Sequence, residues 1–87
     1  MKIKDIKNAE THETRTDGRY PLRIGSTVEF HLDNLPILGE PMYLSYLMDK
    51  YGNEKDGVFR TSYVKNITEI DTTIIVETKH SIYYLEK

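Results

Sequence analysis

The chain has 87 residues, of which 12 are basic and 14 acidic, and its formal net charge is −2. This length supports one small domain with a thin hydrophobic core. The chain has no cysteine, which excludes disulfides, thiolate metal sites and thiol catalysis.

Residues 1–21 are mostly polar, and we expect them to form an N-terminal arm or edge segment ahead of one small β-barrel domain at residues 22–87. Residues 1–8 are ambiguous, because two isoleucines three positions apart suit a helical turn whereas the first residues alternate like a strand. A short edge strand or an irregular arm is predicted there. Residues 9–21 form a polar connection of a length that is usually functional or mobile.

The first strand is predicted over residues 22–32, where apolar and polar side chains alternate as in a half-buried antiparallel strand. One of its faces carries Ile24, Ser26, Val28, Phe30 and Leu32. Residues 33–40 are punctuated by proline and glycine and form a linking loop. We expect the apolar side chains of this loop to tuck beneath it, namely Leu35, Ile37 and Leu38.

The second strand is predicted over residues 41–50, which are apolar on both faces. A helix is the alternative, because Leu44, Leu47 and Met48 have helical spacing. The tyrosines at 43 and 46 and the flanking proline favour a strand. Residues 51–57 form a polar hairpin loop with a glycine near each end.

The C-terminal third predicts three strands joined by tight turns. Residues 58–70 form a strand that needs a bulge or bend near Lys65-Asn66, because the apolar spacing there changes from two to three. Further strands follow at 73–78 and 81–85.

Together these elements predict an all-β domain of about five strands, either a small SH3-like barrel or a strongly bent antiparallel sheet. An OB-type barrel is the alternative, but it usually has a longer chain and a helix between strands.

No pattern typical of a catalytic or metal site is present. The three histidines lie apart. His31 and Asp33 would share a strand face and could contact a divalent metal, but two ligands do not make a site, so a solvent-facing polar pair is preferred. The serines lack a Gly-x-Ser-x-Gly elbow and an activating partner, and the glycines stand singly. We predict no enzyme activity, no catalytic residue, no metal and no cofactor.

Aromatic residues beside basic ones are the most suggestive chemical feature, because single-stranded nucleic-acid grooves combine stacking faces with cations. A pI of about 5.9 argues against a nucleic-acid binder, and tyrosines at the edge of the core are the plainer interpretation.

Protein binding is favoured instead, because seven tyrosines suit an interface. Tyr43, Tyr46 and Leu47 should either be covered by the N-terminal arm, which we favour slightly, or contact another chain. The arm at residues 11–20 and its nearby Tyr and Arg side chains form the predicted working surface. The candidate binding residues are Arg15, Arg19, Tyr20, Arg23, Tyr43, Tyr46, Arg60, Tyr63 and Lys65.

Two segments carry a resemblance to known proteins. The stretch from Phe59 to Ile67, with its Arg-Thr-Ser-x-Val pattern, is followed from Val76 to Leu85 by a Thr-x-x-Ser-x-Tyr pattern. In these segments the chain resembles short uncharacterised proteins of Gram-positive bacteria and their phages or mobile elements. The resemblance implies a bacterial setting, with a phage or mobile-element accessory protein as one alternative, and it carries no function.

The expected location is the cytoplasm. A secreted domain of this size usually needs a disulfide or metal staple. No apolar run approaches the roughly 20 residues of a membrane span, and the first residues lack the apolar segment of a signal peptide. We therefore expect no membrane partner.

Overall fold

Six antiparallel strands follow one another around a closed ring in the computed structural model, which describes residues 1–87. The strands are β1 (Lys2–Asn8), β2 (Thr27–Phe30), β3 (Pro41–Met48), β4 (Val58–Ile70), β5 (Thr73–Thr78) and β6 (Ser81–Glu86). One helical turn, α1 (Tyr20–Arg23), precedes β2, and a 3₁₀ turn at His31–Asp33 follows it. Each strand pairs with its chain neighbour, and β6 pairs with β1 to close the barrel. The all-β prediction is confirmed, with six strands rather than five.

The extra strand is β1, which belongs to the barrel rather than to an arm. It pairs with β6 along its length and with the start of β2 at its own first residue. Ile3 and Ile6 are fully buried in the core. The predicted division into an arm at 1–21 and a barrel at 22–87 therefore differs from the structure, because the core needs these two side chains.

The long connection after β1 folds back onto that strand. The backbone N–H of Asn8 donates to the carbonyl of Glu13 at 2.8 Å, and that of Arg15 donates to the carbonyl of Ile6 at 2.8 Å. These bonds satisfy the part of β1 that β2 does not reach. We call this polar connection at residues 9–21 the strap, because it lies against the outside of the barrel wall.

The predicted strand at residues 22–32 is largely wrong. Pro21 lies in the first turn of α1, where its missing N–H costs nothing. Gly25 has φ +93 and turns the chain into β2, which covers only four residues. Leu32 then has φ 52 and is 78% exposed. Alternation alone could not reveal these breaks, because a short strand flanked by turns can carry the same polarity pattern as a long one.

The strands predicted from residue 41 onward are confirmed, with the second strand ending at Met48 rather than at residue 50. Residues 41–48 form a strand and not a helix, and tight turns at 71–72 and 79–80 join β4, β5 and β6. The register of β4 against β5 shifts between Val64 and Asn66, where the bulge was predicted. The structure contains no helix with the length and apolar character that a membrane span requires.

A second irregularity in β4 lies opposite the start of β3. The register shifts between Pro41 and Tyr43, so that β4 carries an extra residue there. The Thr61 hydroxyl fixes this bulge, since it accepts the Met42 N–H at 3.0 Å and donates to the Ser62 carbonyl at 2.7 Å. Together the two bulges bend β4, so that its first half pairs with β3 and its second half with β5.

Side chains from every strand fill the barrel. The buried apolar cluster consists of Ile3, Ile6, Val28, Met42, Leu44, Phe59, Val64, Val76, Tyr83 and Leu85. The alternation of side chains along each strand places these residues inside and their neighbours outside. A functional surface is therefore expected on the outer faces of the strands.

Three carboxylates near the surface, one exposed and two half-buried, receive hydrogen bonds in the folded state. The Arg15 guanidinium lowers the pKa of Asp17. The backbone N–H of Asn53 is the main cause of the lowered pKa of Asp49, and two threonine hydroxyls lower the pKa of Glu86. Because hydrogen bonds to the ionised form favour it, folding makes all three groups stronger acids.

We expect these carboxylates to make the domain sensitive to acid. Their contribution to the free energy of unfolding is complete above the ordinary carboxyl range near about pH 4 and is lost as pH falls through the lowered folded-state pKa values. Urea unfolding at a series of pH values should show stability falling with acid. The triple variant Asp17→Asn, Asp49→Asn, Glu86→Gln should be less stable at neutral pH. Its free energy of unfolding should also fall less than that of the wild type as the pH is lowered.

The control is Asp56→Asn, since Asp56 is exposed and accepts no hydrogen bond. This variant should retain the wild-type pH dependence. If the free energy of unfolding of the triple variant fell with acid as steeply as that of the wild type, these three carboxylates would not be the cause of the acid sensitivity.

Candidate partner-binding surface

Arg15 is a structural residue. Its guanidinium pairs with Asp17 at 2.7 Å and donates to the Ser81 hydroxyl at 2.9 Å and to the His80 carbonyl at 3.1 Å. The Arg15 side chain is only 15% exposed, and its guanidinium carbon lies 4.0 Å from the centre of the Tyr20 ring. These contacts join the strap to β6, so little of Arg15 is left for a ligand.

Tyr20, Arg23 and Tyr46 also serve the fold. The Arg23 guanidinium carbon lies 4.4 Å from the Phe59 ring centre and 5.5 Å from that of Tyr20. The ring centres of Tyr46 and Phe59 lie 5.1 Å apart. The Lys55 ammonium nitrogen lies 4.3 Å from the Tyr46 ring centre. These cationic and aromatic side chains thus contact one another along the edge of the core, and each cation is attracted to the face of a neighbouring ring. These contacts leave Arg19 as the exposed basic side chain of this group, and a working surface on the strap stays a prediction.

Three other predicted residues converge on the outer face of the sheet formed by β2, β3 and the first half of β4. Tyr43 on β3 lies opposite Arg60 on β4, and Pro41 lies opposite Tyr63. Tyr43 is 45% exposed and Tyr63 is 60% exposed. We call this outer face the tyrosine face. The remaining candidate, Lys65, is exposed at the bulge farther along β4.

The β5–β6 turn adds one cation, Lys79, and one imidazole, His80, that the sequence interpretation did not include among the binding residues. The backbone N–H of Lys79 donates to the Tyr63 carbonyl at 3.0 Å, and that of His80 donates to the Ser62 hydroxyl at 3.2 Å. A groove of about 240 Å³ results, lined by Pro41, Arg60, Thr61, Ser62, Tyr63, Lys79 and His80. Its lining contains no acid, so the groove is cationic.

The sequence did contain a signal for these residues. Extending the β4–β5 hairpin from its turn at 71–72 brings residue 79 beside residue 63. Hairpin register, combined with the one-residue bulge predicted near Lys65-Asn66, could therefore have placed Lys79 next to Tyr63.

A second hollow lies on the other side of Pro41. It measures about 300 Å³ and is lined by His31, Asn34, Leu35, Pro36, Ile37, Glu40, Pro41, Met42 and Tyr43. The loop side chains that were expected to tuck inward instead face solvent, since Leu35, Ile37 and Leu38 are 70%, 58% and 61% exposed. The expectation is wrong because the barrel interior is already filled by strand side chains.

His31 anchors this loop. Its Nδ1 lies 2.8 Å from the Ser45 hydroxyl on β3. His31 and Asp33 lie in the 3₁₀ turn rather than along a strand, which corrects the expected pairing on one strand face. No acidic side chain bonds His31, so the third member of a serine triad is missing, and no group of three potential metal ligands occurs.

The strap does not cover the tyrosine face. Tyr43 and Leu47 are 45% and 43% exposed, whereas the strap contacts β1 and the β5–β6 turn. The slightly favoured expectation that the arm would cover these side chains is wrong, because pairing with β1 draws the strap to another part of the barrel.

Comparison with known proteins found no matching family model, no matching curated protein and no matching solved structure. The SH3-like architecture and the bacterial setting stay predictions.

Proposed function

We propose that the protein is a protein-binding module rather than an enzyme, and that it binds through the tyrosine face. The observation that carries this proposal is the pair of exposed tyrosines, Tyr43 and Tyr63, on adjacent strands beside two hollows. The ring of paired strands and the filled core show that neither tyrosine is needed to close the barrel.

Tyrosine suits this role because it buries a large area with few rotatable bonds, and its hydroxyl tolerates both water and a partner. The strands beneath hold both backbones in fixed register, so little ordering entropy is lost on binding. Arg60 lies beside Tyr43 and is itself a residue type enriched at interfaces.

Affinity selection of a random peptide library tests the proposal. We expect selected peptides to bind the wild-type domain and to lose at least about 2 kcal/mol, about thirtyfold in Kd, with Tyr43→Ala or Tyr63→Ala. Calorimetry would give the affinities, and circular dichroism would show that the variants are folded.

The matched control is Tyr51→Ala, because Tyr51 is 75% exposed in the β3–β4 loop and lines neither hollow. Peptide binding should survive this change. Failure to select any peptide, or equal losses in all three variants, would count against the tyrosine face.

A single-stranded nucleic acid is the second candidate ligand, and the cationic groove favours it. Arg60 and Lys79 line this groove together with Tyr63, which is 60% exposed. The groove therefore offers both cations for backbone neutralisation and a ring for base stacking. Fluorescence titration with a single-stranded oligonucleotide at low salt decides the matter. Binding that weakens steeply with salt and with Tyr63→Ala supports this candidate, and absent or salt-independent binding removes it.

A further inference from the structure

The bulge at Thr61 is the reason that a cation and an aromatic ring lie together in the cationic groove. This bulge adds one residue to β4 opposite the start of β3. Successive side chains of a regular strand point to opposite faces, so Arg60 and Tyr63, three positions apart, would lie on opposite faces without it. With the bulge, both residues are exposed and line the same groove.

The β5–β6 turn completes the groove from the other side. The N–H of Lys79 donates to the Tyr63 carbonyl at 3.0 Å. The N–H of His80 donates to the Ser62 hydroxyl at 3.2 Å. These bonds hold the turn against β4, so little ordering entropy is lost when a ligand enters. The Ser62 hydroxyl accepts this bond and donates none within the chain, so its proton is free for a ligand that accepts hydrogen bonds.

Arg60 and Lys79 have no partner within the chain. Neither side chain makes an ion pair or lies over an aromatic ring, whereas Arg15 is paired with Asp17. Their side-chain nitrogens are hydrogen-bond donors only. The groove therefore offers two charged donors and a hydroxyl to an oxyanion, which supplies the acceptor that the chain itself lacks.

The surroundings of the groove favour a single carboxylate over a phosphate or a nucleic-acid strand. Phosphate sites commonly use free backbone N–H groups, but those of Lys79 and His80 are already bonded. Two hollows share lining residues with the groove, and each contains an acid, Glu10 in one and Glu40 in the other. A nucleic-acid strand that extended beyond the groove would bring its phosphates near these acids, whereas one carboxylate stays within it.

The hollow that contains Glu40 adds an apolar contact beside the groove. Leu35 and Ile37 line this hollow and are 70% and 58% exposed. Pro41 lines both the hollow and the groove. An apolar side chain of the same ligand would remove this surface from water. The surface therefore suits a ligand that combines an acidic side chain with an apolar one.

We propose that the partner of the tyrosine face is an acidic peptide segment, with an Asp or Glu carboxylate in the cationic groove and an apolar side chain in the hollow beside Pro41. Arg60, Lys79 and the Ser62 hydroxyl bind the carboxylate. This assignment rests on the proposed function, because it specifies the chemistry of the partner that the module binds. Hydrogen bonds between charged groups are stronger than neutral ones, so the carboxylate contact gives selectivity as well as affinity.

Peptides selected on the wild-type domain from a random library test this assignment. We expect the selected peptides to share an Asp or Glu residue. Calorimetry would then compare one selected peptide with a second version in which this acid is replaced by its amide, Asn or Gln. The amide version should bind the wild-type domain about tenfold more weakly, because it lacks the charge that pairs with Arg60 and Lys79.

The variants Lys79→Met and Arg60→Gln locate the carboxylate in the groove. Each should weaken binding of the acidic peptide by about tenfold, but should bind the amide version within about threefold of the wild-type Kd. Lys2→Met is the matched control, because it also removes one positive charge, and Lys2 is exposed on β1 and lines neither the groove nor the hollow. This control should retain the full preference for the acidic peptide.

The outcomes separate this inference from the proposed function. Selected peptides that depend on Tyr43 and Tyr63, but contain no acid or lose nothing when it becomes an amide, overturn the acidic partner and retain the binding module. Equal losses in Lys79→Met and Lys2→Met overturn the groove as the site of the carboxylate. A domain that selects no peptide overturns both proposals. A single-stranded oligonucleotide that binds more tightly than every selected peptide, and is weakened by Lys79→Met, overturns the acidic peptide in favour of nucleic acid.

Discussion

Tyr83→Ala is expected to lower the free energy of unfolding by about 3–5 kcal/mol, the cost of truncating a large buried aromatic side chain. Tyr83 is only 2% exposed and heads the fully buried side chains in size. It lies on β6 opposite Ile6 of β1 and Val76 of β5. Its ring therefore fills the barrel where three strands meet, and its removal leaves a cavity that paired strands cannot close.

The loss should be severe because a domain of this length has little stability to spare. Urea unfolding followed by circular dichroism would measure it. Tyr83→Phe is the matched control, since it keeps the ring and removes only the hydroxyl. Burial raises the pKa of that hydroxyl, so it stays protonated at neutral pH. Equal losses in both variants would show that the hydroxyl, and not ring packing, stabilises this region.

Gly25→Ala should produce the second large effect, a loss of about 2–4 kcal/mol from backbone strain together with crowding. Gly25 has φ +93, and a Cβ atom there would stand 3.0 Å from the Cβ of Lys50 and 3.7 Å from its Cα. The Gly25 N–H also donates to the Ile3 carbonyl at 2.7 Å. A shift that relieved the crowding would therefore disturb the short contact between β1 and the entry to β2.

Gly18→Ala separates the two causes. Gly18 has φ +54, in the left-handed region, and a Cβ there would meet nothing within 4 Å. This variant should lose about 1 kcal/mol from backbone strain alone. If the two variants have the same m-value, the difference between their urea midpoints gives the loss of unfolding free energy that crowding adds. A Gly25→Ala variant as stable as Gly18→Ala would contradict the close approach to Lys50.

The second half of the chain was predictable because its contacts are local. The strands from Val58 onward are joined by two-residue turns, so hairpin pairing sets their register. The change of apolar spacing near Lys65 was enough to locate one bulge. The bulge at Thr61 left no such mark, because it depends on a hydroxyl accepting the N–H of Met42 from another strand.

The candidate surface was predictable only in part. Tyr43, Arg60 and Tyr63 were singled out by residue type, and the register of β3 against β4 brings them together. Arg15, Tyr20 and Arg23 have the same residue types, but their cations and rings contact one another and the core. Residue type does not distinguish the two groups, because exposure is a property of the packed molecule.

The sequence by itself determined a small all-β domain, its C-terminal hairpins and the residue types available for binding, since these follow from composition, alternation and turn residues. Only the tertiary structure decided that residues 1–8 complete the barrel and that the strap lies on β1. It also decided that the loop after β2 exposes Leu35 and Ile37. These outcomes depend on contacts between distant parts of the chain, which compete for one small interior.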